Sequence, residues 1–150
     1  MYSKEQASKL RQQFWTKFGQ YMKPVPGAGS DPVNWLNYKT GKRNIIFHMD
    51  ADKDQATIAI ELKHTNSAER AQCYQQFISL KKLLESETGF YWQWEKEIEI
   101  NSGQLISRIS QALPQVNIFN EKDWPSIIAF LKPRIIALDH FWELVKDGFD

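Results

Sequence analysis

Twice along this chain the hydrophobic period falls to two, and no other feature narrows the fold as much. Across residues 55–63, Ile58, Ile60 and Leu62 alternate with Thr57, Ala59, Glu61 and Lys63, so a strand there buries one face and wets the other. Residues 91–100 repeat the pattern, with Trp92, Trp94, Ile98 and Ile100 on one side and Gln93, Glu95, Glu97 and Glu99 on the other. Lys96 is the one misfit on the apolar side. A sheet with one apolar face needs a second layer to cover it, and the remaining sequence must supply that layer.

Helical spacing supplies it. Ser3-Lys4-Glu5-Gln6 is a capping box, in which the Ser hydroxyl and the Gln side chain satisfy the first free amides of a helix. Ala7, Leu10, Phe14, Phe18 and Tyr21 then stripe a helix over residues 3–22. Asn66 or Ser67 caps a second helix, which carries Ala71, Tyr74, Phe77, Ile78, Leu80 and Leu84 on one side and stops at Gly89. Asn120, Asp123 and Pro125 open a third, whose Trp124, Ile128, Leu131, Ile135, Leu138, Trp142 and Val145 run toward Gly148. Pro133 should kink or divide it near Lys132, because an interior proline removes a backbone hydrogen bond and crowds the preceding turn. Residues 24–32, rich in proline and glycine, form a loop. Turns at Thr40-Gly41, at 51–54 and at Asn101-Ser102-Gly103 separate strands near 34–38, 43–49, 55–63, 91–100 and 105–109. The expected fold class is α+β, an antiparallel sheet of about five strands with three helices in the order α-β-β-β-α-β-β-α.

At 150 residues, 42% apolar and 13% aromatic, the chain has enough apolar surface to offset its conformational entropy as one domain over residues 1–150. No run approaches the roughly 20 apolar residues of a membrane helix, and no signal-peptide core follows Met1, so a cytoplasmic location without membrane contact is expected. One cysteine, Cys73, excludes an internal disulfide framework and a multi-thiolate zinc site. On the apolar side of a helix it behaves as a small hydrophobe with a raised pKa. Nineteen Lys plus Arg against eighteen Asp plus Glu leave a net charge of +1 and an isoelectric point near 7.8, without the basic excess of a strongly nucleic-acid-binding domain.

Glu61-Leu62-Lys63, with Asp50, Asp52 and Asp54 upstream, imitates the acid-and-lysine set with which restriction-type nucleases hold Mg²⁺ and steady the attacking water. A turn centred on Asp52-Lys53 pairs Asp50 with Gln55 and sets Glu61 opposite Asn44. At roughly 3.3 Å per residue the two carboxylates then stand on the order of 20 Å apart, too far to share a metal. His48, His64 and His140 fall in no metal-binding spacing, and no cofactor is implied. Gly27-Ala28-Gly29-Ser30 and Thr40-Gly41-Lys42-Arg43 look like phosphate-cradling loops but lack the P-loop spacing. The second carries more, since Trp35, Tyr38, Lys39, Lys42 and Arg43 set stacking rings and phosphate-seeking cations around one hairpin. Arg108 faces away from Ile109 on a short strand, where it either pairs with an acid of residues 95–99 or binds an anion. Trp15, Trp92, Trp94, Trp124 and Trp142 fall at apolar positions and belong to the core.

Residues 3–22, Asn34-Trp35-Leu36-Asn37-Tyr38-Lys39-Thr40-Gly41, residues 47–52, Trp92-Gln93-Trp94-Glu95, Ile106-Ser107-Arg108-Ile109, residues 116–124 and Lys132-Pro133-Arg134-Ile135-Ile136-Ala137-Leu138 carry a resemblance over nearly the full length. The chain resembles an uncharacterised bacterial family of stand-alone proteins classed only as a domain of unknown function. Longer relatives carry a similar domain after a nuclease-like segment, which implies an accessory role near DNA processing. The family lends no catalytic residue, and Glu61-Leu62-Lys63 is not among the segments that carry the likeness.

No acid, base, nucleophile and metal set converges, so the sequence reads as a non-enzymatic binding or interaction domain. Its expected partner is nucleic acid or a protein of a DNA-processing or defence system, met through Trp35, Tyr38, Lys39, Lys42, Arg43 and Arg108. The competing reading is a Mg²⁺-dependent nuclease of the restriction-endonuclease-like type, built on Asp50, Glu61 and Lys63. A third is a structural protein that assembles through aromatic side chains its helices leave uncovered.

Overall fold

The computed structural model describes residues 3–150. In chain order its elements are α1 (Lys4–Met22), a short 3-10 turn (Trp35–Asn37), β1 (Ile45–Ala51), β2 (Gln55–Leu62), α2 (Ser67–Ser79), α3 (Lys81–Thr88), β3 (Gln93–Glu99), β4 (Leu105–Pro114) and α4 (Trp124–Val145). Further 3-10 turns lie at Glu121–Asp123 and Lys146–Gly148. The strands form one antiparallel sheet in the order β1-β2-β4-β3. The class is α+β, as the alternation predicts, but the described residues hold four strands and four α-helices in place of five and three.

The lost strand is residues 34–38. The Asn34 side chain accepts the Asn37 amide at 3.1 Å, which closes a 3-10 turn where an extended ladder was expected. The added helix comes from a break at Leu80. The Ser79 hydroxyl donates to the Gln76 carbonyl at 2.6 Å, and the Leu80 amide moves to the Phe77 carbonyl at 2.9 Å. A side chain that competes for a helical acceptor in this way ends one helix, and α3 starts afresh. Gly89 then stops α3 in the left-handed conformation, φ 73°, as its sequence position predicts.

Pro133 does not divide α4, which runs unbroken from Trp124 to Val145. The neighbouring Arg134 guanidinium donates to the Phe130 carbonyl at 3.0 Å and lies 4.1 Å from the Phe130 ring and 3.9 Å from that of Phe90. This brace sits in the turn that proline weakens. The Ser3–Gln6 capping box forms as predicted, with bonds of 2.9 and 3.1 Å. The stripe of α1 turns inward along Phe14, Phe18 and Met22, four apart, and leaves Tyr21 exposed.

Those side chains join Phe77 of α2, Leu84 of α3 and Leu138, Phe141 and Trp142 of α4 in one buried cluster against Ile58, Ile60 and Leu62 of β2. The opposite face of the sheet carries strand and turn side chains alone, among them His48, Thr57, Glu61, Glu95 and Arg108, around a shallow hollow of about 550 Å³. Lys96 marks where β3 breaks step. Its register to β4 slips by one residue between Glu95, opposite Arg108, and Ile98, opposite Ile106, which is a β-bulge. Trp94 faces Ile109 on the helix side, so the inserted residue moves Ile98 to the open side of the sheet, against the simple alternation.

Candidate functional site

The structure scatters the six candidate residues: Trp35 and Tyr38 meet, their ring centroids 6.3 Å apart, Lys42 and Arg43 share a cleft, and Arg108 stands elsewhere. Trp35 is buried, with its indole N–H donating to the Val25 carbonyl at 3.1 Å. Tyr38 stacks on Phe47 with ring centroids 5.1 Å apart, and its hydroxyl donates to Asp139 Oδ1 at 2.5 Å. Burial first, and then that bond, raise the Tyr38 pKa far above the ordinary phenol value. The buried Asp139 accepts a second bond from the Ala28 amide at 2.7 Å. The loop closes this tightly because Gly27 has no Cβ; one placed there would fall 2.2 Å from Val33 Cγ2. The two rings therefore clasp the loop to α4 and offer no stacking platform. Lys39 lies beside a hollow of about 260 Å³ that Tyr38, Asp139, Glu143 and Lys146 also line.

Arg108 pairs across the sheet with Glu61 of β2, its Nε and Nη2 donating to Oε2 at 3.1 and 2.9 Å. The acid it meets is thus not one of residues 95–99. Lys63 Nζ stands 3.7 Å from the other oxygen of Glu61, a carboxylate only 5% exposed. The turn between β1 and β2 sits one residue later than expected, so Asp50 faces Thr57 and Glu61 faces Ile46. Asp50 and Glu61 are then about 13 Å apart along the strand, closer than the sequence estimate but still beyond a shared metal. Among the described residues no group of three or more His, Cys, Asp or Glu side chains could hold a metal ion.

Lys42 and Arg43 stand at a cleft of about 370 Å³ between the loop before β1, His64 after β2, one side of α2 and the Phe149-Asp150 segment. Thr40 sets their position. Its buried hydroxyl donates to the Ile45 carbonyl at 2.7 Å and accepts the Lys42 amide at 3.1 Å, while its carbonyl takes the Trp142 indole N–H at 2.8 Å. Gly41, at φ 79°, makes the left-handed turn that this arrangement needs. The predicted hairpin is instead a turn leading from a 3-10 segment into β1, and it is anchored from beneath. Among the described residues neither Lys42 nor Arg43 forms an ion pair.

The α2 wall of the cleft is the row Glu69, Gln72, Cys73 and Gln76, spaced so that all four share a helix face. Gln76 donates to the Gly148 carbonyl at 2.6 Å and holds the C-terminal segment against the helix. Phe149 packs at a tilt against two core rings, 4.7 Å from Phe77 and 5.2 Å from Trp142. Burial pushes the Cys73 thiol up to about 11, which agrees with the sequence reading of an unreactive core thiol. Burial also lowers the His64 pKa, with Glu69 pulling it up and Arg70 pushing it down. The His64 Nδ1 atom has no hydrogen-bond partner.

The Glu69–Gln76 row is hard to see in the sequence because a stronger apolar stripe runs along the same helix. The net charge also hides an asymmetry. Residues 1–49 hold eight Lys and Arg against two Asp and Glu, which leaves eleven against sixteen in residues 50–150. Counting charge by segment would have found the basic first third.

The chain matches the family described as Domain of unknown function (DUF4268) over residues 10–146, and it belongs to that family. No curated protein and no solved structure matches it. Among the described residues, no helix is long and apolar enough to cross a membrane.

Proposed function

We propose that the chain is a non-enzymatic binding domain, one domain over its whole length, that engages nucleic acid in a cytoplasmic role accessory to DNA processing or defence. One observation carries this reading: Lys42 and Arg43, free of ion pairs among the described residues, stand on a braced turn at the mouth of a polar cleft. Cations held by protein carboxylates have little left to offer a phosphate, whereas unpaired ones release counterions from it and gain affinity. The basic first third of the chain supplies the longer-range attraction. A protein of such a system is the partner to seek if no oligonucleotide binds.

Fluorescence anisotropy with a labelled oligonucleotide at two salt concentrations tests the reading. The wild type is expected to bind in a salt-dependent way. K42A/R43A is expected to bind more weakly, with a log–log salt slope smaller by about 1–2, one phosphate contact being worth roughly 0.7–0.9. Equal binding by both proteins at every salt concentration would remove the cleft from the proposal. The nuclease alternative on Asp50, Glu61 and Lys63 is checked in the same tubes, since with Mg²⁺ added the oligonucleotide is expected to stay intact on a gel.

A further inference from the structure

We infer that the cleft seats one unpaired nucleotide, with its phosphate on Lys42 and Arg43 and its amino-bearing base against Glu69 and Gln72 of α2. The inference rests on the nucleic-acid reading above and deepens it to a substrate class. Three observations carry it. First, size: about 370 Å³ lies at the small end of ligand pockets, which span about 300–1,000 Å³. A pocket of that volume takes one nucleotide and cannot admit a paired helix.

Second, the donor and acceptor set. Cations sit on the loop side, at Lys42 and Arg43 with Asn44 beside them, and the uncharged amides of Gln72 and Gln76 sit on the α2 side. Carboxamides both donate and accept, which suits the Watson–Crick edge of a base, and that edge is exposed only when the base is unpaired. His64, its pKa lowered by burial, carries less positive charge into the cleft than a solvated imidazole would.

Third, the acid. Glu69 lines the cleft without a hydrogen bond or ion pair from its carboxylate among the described residues, and Asp150 lines the same cleft. A purely anionic ligand would be repelled by both. A ligand with an anionic end and an amino-bearing end meets cations at one and carboxylates at the other, and a carboxylate accepts well from the exocyclic amino group of cytosine. Uracil offers a carbonyl oxygen at that position.

The test uses the whole protein labelled with ¹⁵N and titrated separately with cytidine monophosphate, uridine monophosphate and inorganic phosphate, followed by competition between an unlabelled single strand and a blunt duplex for a labelled single strand. Cytidine monophosphate is expected to shift the amides of 42–45, 69–76 and the His64 ring, more tightly than uridine monophosphate and phosphate. The single strand is expected to compete and the blunt duplex to fail. Q72A should lower cytidine monophosphate affinity about tenfold, the loss of one or two base hydrogen bonds, with the salt slope unchanged. E69Q should erase the preference for cytosine over uracil. If the duplex competes as well as the single strand, or if Q72A and E69Q bind as the wild type does, the single-nucleotide inference fails while nucleic-acid binding stands. If no oligonucleotide or nucleotide binds at all, both fail.

Discussion

The two sides of the sheet treat charge in opposite ways. On the open face, Arg108 and Lys63, both partly exposed, close on the buried carboxylate of Glu61. At the cleft beside α2, Lys42 and Arg43 rest on a turn braced by Thr40, and no ion pair among the described residues claims them. Residues of similar type therefore do different work according to what lies across from them. A partly buried pair maintains the sheet, and cations without a partner leave their electrostatic energy for a ligand.

The sharpest way to break this contrast is to exchange the consequences of mutation. R108A leaves the nearly buried Glu61 with only Lys63, at 3.7 Å. It is expected to lower unfolding free energy by about 2–3 kcal/mol, below the 3–5 kcal/mol for splitting a fully buried pair because Arg108 is partly exposed. Oligonucleotide affinity of the folded protein should not change. Urea denaturation beside an anisotropy titration reads both quantities. A stable R108A protein that binds poorly would reverse the assignment of the two faces.

T40V should affect both properties. Its hydroxyl bonds to the Ile45 carbonyl and the Lys42 amide would vanish, at a cost of about 1–2 kcal/mol, and the turn carrying the cations would loosen. Urea denaturation and oligonucleotide titration should therefore both register it. K42A/R43A should change stability by no more than about 0.5 kcal/mol, as exposed or half-exposed cations without partners do. A large loss of stability there would mean that these residues hold the fold together.

The smallest effect sharpens the picture of the cleft. Burial lowers the His64 pKa below 6.5. As pH falls through 6.5 the unfolded chain takes up this proton first, so that His64's contribution is present above that range and lost below it. Thermal melts should show stability falling on acidification, and H64N should flatten the slope in that window. Cys73 behaves oppositely. Its thiol ionises near 11 in the fold against 9.0 when free, so stability is lost as pH rises from 9 toward 11, and alkylation should stay slow below that range.

Sequence pattern was most legible where the chain obeys one period and one cap. The Ser3–Gln6 box, the Asn66 cap and the Gly89 stop all form as read, and β2 forms over the expected residues, but Ala59 and Glu61 on its supposedly wet face are buried. It misled where a short polar side chain bonds its own backbone, since Asn34 turns a strand into a 3-10 segment and Ser79 cuts a helix in two. The Lys96 misfit was visible as an irregularity, but only the ladder shows that it is a bulge. At the site, Lys42 and Arg43 were legible as phosphate-seeking cations near a turn, but their lack of ion-pair partners among the described residues was not. The roles of Trp35, Tyr38 and Arg108 were not, because each depends on a distant partner: Val25, Asp139 and Glu61. Nothing local distinguishes a tryptophan facing a ligand from one facing the core.

The most direct test of the central claim is a backbone amide map recorded while the ¹⁵N-labelled protein is titrated with a short single-stranded oligonucleotide. Shifts are expected at 42–45, 64, 69–76 and 149, with His48, Thr57, Glu61, Glu95 and Arg108 on the open face of the sheet unmoved. Shifts concentrated on the sheet face, with the cleft silent, would contradict the account.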